Sequence, residues 1–132
     1  MSVRFAQWGA VFAGLGVALG AFGAHALQSR LTPEQRAIFE TAVRYQMFHA
    51  LALFAVGFAR QSPARCQLAT VAGWSFIAGI VIFCGSLYAL VLTDTRTWGA
   101  VTPFGGLAFL AGWTLLAIAF GRREPALPQN QR

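Results

Sequence analysis

Seven side chains in this sequence have the chemistry to hold a proton or a small ligand: His25, Tyr45, Gln46, His49, Ser86, Tyr88 and Thr102. All stand within or beside long apolar runs. Tyr45, Gln46 and His49 share a helical face, opposite the face carrying Arg36, Glu40 and Arg44. Polar groups inside a bilayer are expensive and turn toward a bundle interior or a water-filled space. Two readings follow. Neutral imidazole, amide and hydroxyl groups can satisfy one another as interhelical hydrogen bonds, at about 0.6 kcal/mol each. Alternatively they line a small polar cavity. His49 is expected to point toward the first and third helices, with His25 on the same side and Ser86 or Tyr88 within reach.

Two histidines on neighbouring helices also raise a haem or metal site. Their depths differ by about one helical turn, roughly 5 Å, and only Glu40 offers a carboxylate near that level. No cofactor and no metal site is therefore expected. Cys66 and Cys84 lie 18 positions apart on one helix, about 27 Å, and cannot bridge. No phosphate loop, nucleophile elbow, CxxC or HExxH occurs, and no acid stands within the membrane to orient either histidine. No catalytic residue is assigned.

The elements that must position these groups are four apolar stretches, at about 5–27, 33–60, 66–92 and 101–120. About 20 apolar residues of helix cross a hydrocarbon core about 30 Å thick. Backbone groups in lipid must be satisfied internally, so the stretches are helices, and they lack the alternation of a barrel. Composition agrees: 57% of the 132 residues are hydrophobic and 11% charged, less than half the quarter or so of a soluble domain. The fold expected is all-α, an integral membrane four-helix bundle forming a single domain over residues 1–132, with a frayed tail at 122–132.

The connections carry their own signals. Thr32-Pro33-Glu34-Gln35 has the form of a capping box with proline in the first turn. The second helix should thus start outside the membrane, where Arg36, Glu40 and Arg44 at i, i+4 spacing favour ion pairing. Residues 60–65 and 93–99 read as short turns. Thr102-Pro103 opens the fourth helix.

Charge decides the orientation. The net charge of +6 comes from ten arginines and four acids, without lysine. The arginines cluster at the ends of apolar runs, not along one stripe, which suits lipid headgroups and speaks against nucleic acid. Arg4, Arg60, Arg65, Arg122, Arg123 and Arg132 fall on one side. Arg30, Arg36, Arg44 and Arg96 fall on the other, so both termini are expected in the cytoplasm. Trp8, Trp74 and Trp113 read as anchors at the cytoplasmic interface, and Trp98 at the outer one. Ala24-His25-Ala26 after Arg4 and an apolar run also has the form of a signal-peptide cleavage site. The run is long and rich in glycine, and it is expected to be retained.

Wound at about 100° per residue, Gly9, Ala13, Gly16, Gly20 and Gly23 fall in one narrow arc of the first helix. Val11, Phe12, Leu15, Leu19 and Phe22 fall in another. Helices in lipid associate through close approach and dispersion, so the glycine arc is expected to meet a neighbouring helix and the bulky arc lipid. That neighbour is either within the bundle or in a second copy. Gly73, Gly79, Gly85, Gly105, Gly106 and Gly112 repeat the theme on the third and fourth helices.

Gly20-Ala21-Phe22-Gly23-Ala24-His25-Ala26-Leu27 resembles the signature of the YgdD-like family of small inner-membrane proteins, a domain of unknown function (423) related to eukaryotic transmembrane protein 256. Phe39-Glu40-Thr41-Ala42, Tyr45-Gln46 and His49-Ala50-Leu51-Ala52-Leu53 resemble its second block. Phe83-Cys84-Gly85-Ser86-Leu87-Tyr88 resembles a third, with Cys84 where the family has serine. Thr102-Pro103-Phe104-Gly105-Gly106 and Gly112-Trp113 resemble the last. The resemblance implies four helices in a bacterial cytoplasmic (inner) membrane, and no activity.

Short hydrophilic loops leave little room for a soluble active site. The function expected is that of a non-enzymatic accessory or structural component, acting through helix packing on itself or on a membrane complex. The alternative is a binder or conduit for a small molecule, lipid or proton at an outer-side polar cluster. The two helix pairs do not match each other in sequence, which disfavours a transporter built on inverted repeats. The partners expected are the lipid bilayer and either a second copy or another membrane protein.

Overall fold

A computed structural model describes residues 3–122. The tail expected to fray lies outside them beyond Arg122, as do Arg123 and Arg132. The described chain is helical, with four helices long and apolar enough to cross a membrane.

Helix α1 spans Val3–His25. It ends where the amides of Ala26 and Leu27 both turn to the Phe22 carbonyl, at 2.8 and 3.2 Å. Helix α2 spans Pro33–Ala59, behind a reciprocal capping box: the Gln35 amide donates to Thr32 Oγ1 at 3.2 Å, and the Thr32 amide to Gln35 Oε1 at 3.0 Å. At about 1.5 Å per residue α2 is about 40 Å long, so its first turns project beyond an apolar layer of about 30 Å. The Gln35 side chain also donates to Asp94 Oδ1 at 3.0 Å. That bond ties the start of α2 to the connection after Thr93. Asp94 itself is left-handed, with φ 52°, a conformation that short polar residues tolerate, and it stops the helix that ends at Thr93.

Helix α3 spans Cys66–Thr93 and carries a π turn at Ile80–Cys84. Nothing in the apolar pattern announces that turn, because a π turn changes the hydrogen-bond ladder without changing composition. A short 3₁₀ segment, Arg96–Ala100, occupies most of the expected second turn. Helix α4 then spans Thr102–Gly121, with Pro103 in its first turn, where a missing N–H costs nothing.

Helix α2 is the hub, with half of its membrane span buried against 17% of that of α1. It lies along α1 and beside α3, while α3 lies along α4; α2 and α4 meet only sparingly. Glycines set the close approaches. A Cβ on Gly9 would stand 2.7 Å from the Ala50 carbonyl oxygen, one on Gly16 2.6 Å from Met47 Sδ, one on Gly23 2.6 Å from the Phe39 ring, and one on Gly20 3.4 Å from Val43. The whole glycine arc thus faces α2, within the bundle. Val11, Leu15 and Phe22 face outward, whereas Phe12 and Leu19 are partly buried.

Across α3 and α4, aromatic rings sit on glycines reciprocally: Phe76 on Gly112 and Phe109 on Gly79. Gly105 makes the closest approach to another helix's backbone, against Phe83 inside the π turn. Leu53, Val56, Phe76 and Cys84 are wholly buried at the centre.

Candidate functional site

The polar residues do not form one cluster. Gln46 and His49 are three positions apart, so their side chains leave α2 about 60° apart and address different neighbours. Gln46 is buried and binds three helices together. Its amide nitrogen donates to the Phe12 carbonyl of α1 at 2.8 Å, and its oxygen accepts from the Tyr88 hydroxyl of α3 at 2.9 Å. Phe12 and Gly16 are one turn apart, and the missing side chain at Gly16 leaves that carbonyl open to a second donor. A Cβ there would stand 3.6 Å from the Gln46 nitrogen.

His49 turns to α3 and α4, not to the first helix. The indole Nε1–H of Trp113 donates to His49 Nε2 at 3.1 Å, and His49 Nδ1 lies 2.7 Å from the Tyr45 carbonyl. An indole can only donate, so Nε2 accepts, and the ring proton sits on Nδ1, directed at that carbonyl. Both nitrogens are engaged, which leaves no lone pair free for a metal. The imidazole is stacked on Phe109, with ring centroids 3.4 Å apart and planes at 10°. Among the described residues no group of three or more His, Cys, Asp or Glu side chains could hold a metal ion.

Ser86 and Thr102 form a third, separate pair, hydroxyl to hydroxyl at 2.8 Å, joining α3 to the start of α4. Ser86 also donates to the Phe83 carbonyl at 2.9 Å. His25 belongs to none of these sets; it is exposed at the end of α1 and makes no hydrogen bond among the described residues. The expected ion pairs on α2 do not form among the described residues either. Arg36 donates instead to the Gln28 carbonyl at 2.7 Å, a neighbour that the folded-back α1–α2 connection supplies.

Because α2 and α4 stand apart, a groove of about 1040 Å³ opens between them on the outside of the bundle. Tyr45, His49, Phe83, Phe109 and Trp113 form its floor, Phe48, Leu51, Leu107 and Leu110 its apolar sides, and Arg44 with Pro103 its end nearest the α3–α4 connection. Tyr45 is 39% exposed and stacks on Phe83 at 4.7 Å, so the π turn reaches the groove through that ring. Trp113 is 46% exposed. It lies midway along α4, too deep for an interfacial anchor, and spacing alone would have shown this: ten residues from Pro103 is about 15 Å, half the hydrocarbon thickness. Arg44, Phe83 and Phe109 were not singled out in the sequence as site residues. Arginine reads as a headgroup contact and phenylalanine as core, and only the separation of α2 from α4 makes them groove residues.

The family described as "Protein of unknown function (DUF423)" matches residues 19–106. The chain belongs to it. Among its relatives, the UPF0382 membrane protein YwdK of Bacillus subtilis (strain 168) is 44% identical over 111 residues, covering 84% of this chain and 90% of the relative. The UPF0382 membrane protein SERP0230 of Staphylococcus epidermidis is 45% identical over 111 residues, covering 84% and 89%. No solved structure matches the chain. With relatives named as membrane proteins and four spanning helices, this DUF423 protein is an integral membrane four-helix bundle. The stretch matched to the family contains Arg44, Tyr45, His49, Phe83 and Gly106 of the groove.

Proposed function

We propose that this protein is a non-enzymatic component of the bacterial cytoplasmic membrane that holds an amphiphile from the bilayer in the α2–α4 groove. The observation that carries the reading is the groove itself, open to hydrocarbon and about 1040 Å³ in volume, with a hydrogen-bonded aromatic floor. Ligand pockets of several hundred Å³, mostly apolar and with a few placed polar groups, are the usual form of a small-molecule site. His49 is buried and fixed in one tautomer beneath the groove, and the aromatic surface open to the groove is that of Tyr45 and Trp113.

An even number of crossings puts both termini on the same side, and the arginine balance of the loops makes that side the cytoplasm. A C-terminal alkaline phosphatase fusion should then be inactive; an active fusion would reverse the orientation.

Native mass spectrometry of the detergent-purified protein tests the binding reading. The expected result is a retained lipid, lost in Gly106→Leu. Gly106 lines the groove, and a Cβ there would meet only the Phe83 ring, at 3.9 Å, so a leucine side chain fits the backbone and fills the groove. Lipid-free wild-type protein, or equal retention by Gly106→Leu, would overturn it.

A further inference from the structure

Arg44 lines two spaces at once. On one flank it ends the α2–α4 groove. On the other it borders a second cavity of about 430 Å³ between α1 and α2, walled by Gly20, Gly23 and Phe39 and edged by Arg36 and Glu40. The second cavity lies at the end of the bundle bearing the α1–α2 connection, and Gln28 and Leu31 of that connection close it. Its charges are two arginines against one carboxylate. The Arg36 guanidinium is held by the Gln28 carbonyl, and its Nε has no partner among the described residues. Arg44 is exposed and makes no hydrogen bond or ion pair among the described residues. A cation left without a counter-ion at the head of an apolar groove in a membrane marks where an anion belongs.

Resting on the groove reading, we propose that the occupant is a phospholipid with a net anionic headgroup. One acyl chain lies in the α2–α4 groove and the phosphodiester sits on Arg44, with the headgroup turned toward Arg36. Dimensions support this. Arg44 and Pro103 mark one end of the groove and Trp113 the other, and the ten residues of α4 from Pro103 to Trp113 rise about 15 Å. That is one leaflet of a hydrocarbon layer about 30 Å thick. A chain anchored at Arg44 therefore reaches the His49–Trp113 pair at the midplane. The charge sign selects among lipids: the site carries a net positive charge, so phosphatidylglycerol fits and phosphatidylcholine, whose headgroup is neutral overall, gains less. Glu40 opposes the anion and limits the preference.

Trp113 at the far end of the groove supplies the reporter. In full-length protein carrying Trp8→Phe, Trp74→Phe and Trp98→Phe, only Trp113 fluoresces. The protein is reconstituted in phosphatidylcholine vesicles with a rising fraction of chain-brominated phosphatidylglycerol or chain-brominated phosphatidylcholine, and quenching is followed. The brominated anionic lipid should quench at about one-fifth of the mole fraction that brominated phosphatidylcholine needs, the selectivity of roughly one arginine at a membrane surface. Arg44→Gln should bring the two lipids level by moving the phosphatidylglycerol curve more than the phosphatidylcholine curve, and Glu40→Gln should widen the gap. Coincident curves for the two lipids with Arg44 in place would overturn the headgroup assignment while leaving a lipid in the groove. Absence of quenching by either lipid would mean that protein, such as a second copy, covers the groove, and the binding reading itself would fall.

Discussion

Gln46 and His49 lie one turn apart on the same helix and both are buried, yet Gln46 is covered by a closed helix contact and His49 by the aromatic floor of an open groove. On the Gln46 side, α1 presents Gly9, Gly16, Gly20 and Gly23 to α2, and backbones approach until an added methyl group would touch a carbonyl or a side chain. The amide then reaches the Phe12 carbonyl directly. On the His49 side, the facing residues of α4 are Phe109 and Trp113. Aromatic rings hold the two backbones apart, and the gap beside them stays open. Both sides satisfy their polar groups. Closure is decided by the partner helix, through glycine or aromatic side chains at the contact.

Gly105 and Gly106 give the sharpest way to break that contrast. A Cβ on Gly105 would strike the backbone of Phe83, with Phe83 Cα at 2.7 Å, while one on Gly106 has ordinary contacts only. Backbone cannot rotate away, so Gly105→Ala should cost about 3 kcal/mol in a detergent unfolding titration. Gly106→Ala should stay within about 0.5 kcal/mol. Equal costs would show that α4 is free to move off the π turn.

The next effect is smaller because a side chain can yield. Gly16→Leu meets the flexible Met47 and should lower stability by about 2 kcal/mol, with Gly20→Leu, against Val43, costing about 1 kcal/mol. Gly14, two residues from Gly16, has nothing within 4 Å of its missing Cβ, so Gly14→Leu should leave stability unchanged. A loss in Gly14→Leu alone would show that the exposed face of α1 is the packed one.

The smallest difference concerns the two polar side chains themselves. Gln46→Leu removes bonds to two helices and leaves the Tyr88 hydroxyl without its acceptor, which should cost about 1.5 kcal/mol. His49→Leu removes one interhelical bond, from a Trp113 that is already half-exposed, and should cost about 0.6 kcal/mol. A larger loss in His49→Leu, measured by the same titration, would mean that α4 is held to α2 chiefly by this pair.

Four spanning helices, the capping box at Thr32 and the glycine face of α1 were legible in the sequence by itself. Each is set by local or periodic properties: enough apolar residues to cross hydrocarbon, a short-range side-chain to backbone exchange, and a repeat matched to the helical turn. Of the polar residues picked out in the sequence, Gln46, His49 and Ser86 are buried, and Tyr45, Tyr88 and Thr102 each contact or bond one of them. The sequence could not divide them into three separate sets, leave His25 outside all of them, or give Trp113 to His49. Those outcomes depend on the distance and rotation between helices far apart in the chain, which no window of residues encodes. The π turn at Ile80–Cys84 is the plainest case. It stands where Phe83 meets Gly105 of α4 and Tyr45 of α2, contacts between helices far apart in the chain. The groove belongs to the same class. Glycine lets α1 and α2 close while aromatic rings hold α2 and α4 apart, and only in the assembled bundle does Arg44 stand between two cavities.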